Sequence, residues 1–206
     1  MSAQVASDPW LIFADGKQGP INAHTTRRDL VRAYGAINVV DQDLDLGEGE
    51  VEAGTVLFPS DPERSIQILW KDAKTGTEPS SLTIRGNKSR WKASHATSLG
   101  TTLKQLERLN GRPFHMSGFG WDYSGTVMSW DRGMLSHDLG QFDPHGEHGR
   151  IVLRLNCDTP RTEPLTKEEE MQVVGDRDFS SNHPVLQKMN PCVSEMVWVF
   201  PKKTEN

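Results

Sequence analysis

Thr101-Thr102, Leu106 and Gly111 repeat, at a constant spacing of 76, the earlier Thr25-Thr26, Leu30 and Gly35. Each set reads as a complete short helix. Thr102 and Gln105 stand at capping-box spacing, Leu103, Leu106 and Leu109 form one apolar stripe, and Asn110-Gly111 followed by Pro113 stops the turn. In the first set Thr26 and Asp29 have the same spacing, with Asp in place of the preferred Glu or Gln, and Leu30, Val31 and Tyr34 make the stripe. Helices of two to three turns do not stand alone in water, so each stripe must pack on a sheet. Two looser echoes follow: Gly54-Thr55-Val56 in Gly125-Thr126-Val127, and residues 65–69 in residues 150–154. Together they predict a duplicated unit, residues 19–95 and 96–200, with flexible ends at 1–8 and 201–206.

Between and after the helices the chain reads as strands. Pro9 to Ala14 is a short apolar run suited to a buried first strand. Ile37 to Leu46, Val51 to Phe58, Ser65 to Trp70, Ser81 to Arg85 and Arg90 to Lys92 are candidates joined by Gly- and Pro-bearing turns, the pattern of an antiparallel meander. Ile151 to Leu155 and Val193 to Phe200 add two more. Thr166 with Glu169 opens a further helix, and Pro184 to Met189 another. The fold class expected is α+β: two helix-plus-antiparallel-sheet repeats forming one sheet-based domain over residues 1–206, completed by the final strand.

Composition limits the function classes. The 206 residues carry a net charge of −5 with the basic residues scattered, which argues against nucleic acid, since phosphate binding needs a concentrated cationic face. No apolar run reaches the roughly 20 residues of a membrane-spanning helix. The first residues lack a basic and an apolar segment, so no signal peptide is read; the expected location is periplasmic or extracellular as a mature chain, with the cytoplasm as the alternative. Cys157 and Cys192 are too few for a thiolate metal site, and either one bridge or two separate thiols fits the sequence.

The Gly47-Glu48-Gly49-Glu50 turn, the run Leu109-Asn110-Gly111-Arg112-Pro113-Phe114 and the run Gly118-Phe119-Gly120-Trp121-Asp122-Tyr123 resemble an uncharacterised family of bacterial proteins, commonly regarded as exported or lipid-anchored. The likeness spans most of residues 19–200, and the Gly-Phe-Gly-Trp-Asp-Tyr run is its most specific part. The start of the chain departs from the lipoprotein pattern, having no lipid-accepting cysteine. The paired helix-then-hairpin units also look like the tandem modules of β-lactamase-inhibitory protein and of small outer-membrane assembly lipoproteins. That resemblance implies a sheet face offered to another protein.

The aromatic run is the leading site. If extended, Phe119, Trp121 and Tyr123 project from one face at period two, with Asp122 on the other, and Trp130 and Asp131 close the same hairpin. Trp and Tyr offer broad apolar area with a polar tip, as binding hot spots do; equally, such rings can fill the core beneath the second helix. The candidate binding residues are therefore Phe119, Trp121, Asp122, Tyr123, Trp130 and Asp131. The segment from Asp131 to Gly149 reads as a long loop with His137, Asp138, Asp143, His145, Glu147 and His148, but their spacing matches no established zinc motif. No catalytic residue, metal or cofactor is assigned. The expected function is a non-catalytic binding protein of the bacterial envelope with a protein or glycan ligand. The alternative is a hydrolase of envelope glycan or a small ester, using Asp122 or Asp131 with a loop histidine.

Overall fold

The structure, a computed structural model, describes residues 21–47, 49–121, 123–140, 148–157, 159 and 164–201. The expected strand at 9–14, the ends at 1–8 and 202–206, and Asp122, Asp143, His145 and Glu147 lie outside the described residues.

The architecture is α+β, with helices and two antiparallel sheets. Helix α1 (Arg27–Tyr34) and helix α2 (Leu103–Asn110) fall where the paired signals place them. Both capping boxes close. The Thr26 hydroxyl accepts from Asp29 N while the Asp29 carboxylate accepts from Thr26 N, and Thr102 and Gln105 do the same. Asp therefore suffices where Glu or Gln is preferred. Leu30 on α1 and Leu103 and Leu106 on α2 are buried, each such side chain contributing about 1.5–3 kcal/mol by leaving water.

The meander is β1 (Val39–Gly47), β2 (Glu50–Leu57), β3 (Ile66–Asp72) and β4 (Thr77–Arg85). Two later strands, β7 (Arg150–Cys157) and β9 (Cys192–Val199), extend it into a six-stranded sheet in the order β1-β2-β3-β4-β9-β7. The final strand thus lies inside the sheet, between β4 and β7, rather than at its edge. Alternation explains the burial. Ile66, Ile68 and Trp70 face one side with Leu82, Ile84, Met196, Trp198, Ile151 and Leu153, and this face joins the helices in one apolar cluster. The other side carries Gln67, Thr83, Val197 and Val152 in register, then Arg85, Glu195 and Arg154.

Both helices begin against this sheet in the same way. Thr26 forms a bridge to Thr77 and Arg27 N donates to Gly76 O at 2.8 Å, whereas Thr102 forms a bridge to Cys192 and Leu103 N donates to Pro191 O at 2.8 Å. Thr77 and Cys192 open the adjacent antiparallel strands β4 and β9.

A second, three-stranded sheet was not anticipated from the sequence. It has the order β6-β5-β8, from β5 (His115–Ser117), β6 (Val127–Ser129) and β8 (Asp178–Ser180). Its strands are three residues long, too short to carry a readable alternation. Helix α4 (Lys167–Met171) starts at a third closed capping box, Thr166 with Glu169, and α5 (Pro184–Met189) has the expected proline start. Arg90 to Lys92, expected as a strand, contributes only a single bridge from Lys92 to Ser98. The loop after Trp130 contains one helical turn, α3 (Leu135–Asp138). Cys157 and Cys192 pair across β7 and β9 and form a disulfide, with Cα atoms 5.0 Å apart.

Candidate functional site

The aromatic run is not a strand. Strands β5 and β6 pair only over His115–Met116 with Val127–Ser129, and residues 118–121 and 123–126 belong to the turn-rich connection between them. The period-two projection expected of Phe119, Trp121 and Tyr123 therefore does not arise. The glycines explain why: Gly120 and Gly125 take positive φ of 82° and 68°, where the chain turns rather than extends.

The described residues of this connection are nonetheless firmly held. Ser117 Oγ donates to Tyr123 O and accepts from Thr126 N. Gly120 N donates to Ser124 Oγ at 3.1 Å, and Ser124 N to Trp121 O at 3.0 Å. From outside, Phe119 N donates to Val173 O and Gly175 N to Phe119 O, while Leu155 N donates to Gly125 O at 2.8 Å. A Cβ on Gly125 would lie 2.2 Å from Leu155 O, so only glycine lets the loop seat on β7. Loops so anchored present side chains without paying again for their ordering.

The candidate residues divide. Trp130 is 3% exposed and packs on Phe114 with ring centroids 5.1 Å apart, so its ring belongs to the core. Phe119 packs against the same core. Tyr123 is 55% exposed, and half-buried Trp121 meets it edge-on at 5.3 Å, its Nε1 fixed by a 3.0 Å hydrogen bond to Gly118 O. Asp131 forms an ion pair with Arg112 at 3.1 Å. In the post-Trp130 segment Asp138 Oδ2 stands 2.7 Å from His95 Nε2, a residue of the stretch before α2. No group of three or more His, Cys, Asp or Glu suited to a metal occurs among the described residues.

Beneath Trp121 and Tyr123 lies a cleft of about 480 Å³. It opens because β6 leaves β7. Thr126 bridges to Arg154, but the next residues, Val127 to Ser129, turn away to pair with β5. The space left is walled by Val127, Met128 and Ser129 on one side and by Arg150, Ile151, Val152 and Val197 on the other.

Beside the cleft, next to its lining residue Arg154, Glu195 is 7% exposed and sits between two arginines. Arg85 Nε donates to Glu195 Oε2, and Arg154 Nη1 stands 3.6 Å from Oε1, an ion pair too long for a hydrogen bond. Arg154 and Val197 also line a smaller depression of about 170 Å³, shared with Leu44 and Leu46 of β1. The β2–β3 ladder covers only Thr55–Leu57, so the distal β1–β2 ribbon is unpaired with β3 and borders the open sheet face. Sequence reasoning missed the Arg85–Glu195–Arg154 set because its members lie 110 and 41 positions apart and meet only through the β4–β9–β7 register.

No protein-family model, curated protein or solved structure matches this chain. Among the described residues no helix is long and apolar enough to cross a membrane.

Proposed function

We propose that this chain is a non-catalytic binding protein of the bacterial cell envelope that receives a protein or glycan partner at the mouth of the cleft, through Trp121 and Tyr123. The observation that carries this reading is an exposed tyrosine edge-packed on a tryptophan, on a loop whose backbone is pinned from both sides. Broad amphipathic rings that are already ordered are what hot spots consist of. The Cys157–Cys192 bridge suits an oxidising compartment, which favours the periplasm or exterior over the cytoplasm.

The same reading takes the fold as a duplication and keeps the likeness to exported bacterial proteins and to tandem inhibitory modules. The matched helix starts at Thr26 and Thr102, each against the first residue of a central strand, support it. So do Gly54 and Gly125. A Cβ on either would press on a carbonyl of the neighbouring strand, Ile68 O at 2.7 Å and Leu155 O at 2.2 Å. In the first unit the ladder beyond Gly54 stays closed on β3; in the second it splits after Thr126, and the split is the cleft.

Replacing Trp121 and Tyr123 together by Ala tests the function. Loss of partner pull-down with a melting temperature close to wild type is expected. Unfolding of the variant, or retention of the partner, contradicts it.

A further inference from the structure

We infer that the cleft itself is a binding site for a small organic acid, an aromatic or aliphatic body carrying one carboxylate, with the carboxylate held by Arg154. This goes beyond a partner docked on the rim. It shares the loop with that reading, but either can fail while the other stands.

Size comes first. A cavity of about 480 Å³ is within the range that encloses a small ligand. Its walls decide the body of that ligand. Val127, Met128, Ile151, Val152 and Val197 are apolar, with the rings of Trp121 and Tyr123 at the mouth. A sugar buried here would leave hydroxyls without partners, at a cost no ring stacking offsets. An apolar body loses nothing.

Charge decides the head group. Glu195 is one carboxylate between two guanidiniums, and Arg85 takes the close contact. Arg154 therefore keeps its donors: among the described residues its guanidinium donates no hydrogen bond, and its Nε is shielded from solvent with no partner. Directly across the bridge, Thr126 Oγ1 is likewise buried and without a partner. Two adjacent orphan groups at one corner of a cavity are uncommon in a folded protein, where buried donors are nearly always satisfied. One carboxylate completes both. It accepts from the exposed edge of the Arg154 guanidinium, and rotation of the Thr126 hydroxyl and a small swing of Arg154 bring the orphan donors to it. About a third of the Arg154 side chain is exposed, so that edge is reachable.

The test uses the full chain with its disulfide, and benzoate, indole-3-acetate and hexanoate, each beside its own amide, read by thermal shift and tryptophan fluorescence. The expected result is that at least one acid raises the melting temperature by about 3–6 °C at roughly tenfold its Kd, while its amide does not. Arg154→Gln should weaken that acid by about 10- to 100-fold. Should this variant fail to fold because Glu195 has lost a cation, Thr126→Val carries the same test, since it removes a hydroxyl that makes no bond. It should weaken the acid several-fold without lowering the melting temperature. Acid and amide acting equally, acid affinity indifferent to both substitutions, or no shift with any of the three acids overturns the inference. Each of these leaves the rim reading to its own test, the Trp121 and Tyr123 double substitution.

Discussion

Asn110 and Trp130 are joined by a buried hydrogen bond, Asn110 Nδ2 to Trp130 O at 2.9 Å. The same amide donates to Arg112 O at 3.0 Å, and its oxygen accepts from Leu135 N at 3.2 Å. One side chain thus ties the end of α2 to the end of the cleft wall and to the start of α3. Gly133 passes so close that a Cβ there would lie 2.2 Å from Asn110 Oδ1.

Asn110→Ala should therefore destabilise the protein by about 2–4 kcal/mol, because it leaves buried backbone groups unpaired and opens a void. Chemical denaturation checks this. A midpoint unchanged from wild type would show that water replaces the amide at no cost.

Gly125→Ala should cost more than about 1 kcal/mol, combining a positive φ with a Cβ pressed on Leu155 O. Since the loop seats on β7 through this contact, the variant should also show faster amide exchange at Leu155, whose N–H donates to Gly125 O.

Reduction of Cys157–Cys192, or Cys192→Ser with Cys157→Ser, opens a crosslink between residues 35 positions apart. The chain-entropy model gives a loss of about 3–4 kcal/mol. Urea melts with and without reductant measure it directly.

Glu169 is held below the ordinary glutamate range by its hydrogen bond from Lys188, then by the Thr166 backbone N–H. Asp29 is lowered likewise, first by the Thr26 side chain. A depressed folded pKa means that the anion is the form the fold favours. This stabilisation is fully present above the unfolded carboxylate values, near pH 4, and is lost as pH falls through the lower folded values. Asp29 is exposed and Glu169 half-buried, so salt should weaken the effect, more at Asp29 than at Glu169. NMR titration should place the Glu169 midpoint below that of a free glutamate, and Lys188→Ala should move it upward.

The paired helices were legible because their signals are local: a cap, an apolar stripe and a glycine stop all lie within eleven residues. The alternation at Ile66, Ile68 and Trp70 revealed β3 for the same reason. The site was only half legible. The run from Gly118 to Tyr123 reads as extended, but glycines at 120 and 125 turn it, and no period-two reading could anticipate that Phe119 packs inward while Tyr123, four positions on, goes outward. The Glu195 cluster depends on strand order, above all on the last strand inserting beside β4. Such non-local pairing leaves no local trace.

The most direct measurement is site-specific photo-crosslinking in the cells that make the protein, with a photoreactive phenylalanine at Tyr123 and, as control, at Ile37, which is 85% exposed. With the aromatic loop as the docking surface, a discrete adduct forms from position 123 and not from position 37. Adducts identical from the two positions, or from position 37 alone, would contradict it.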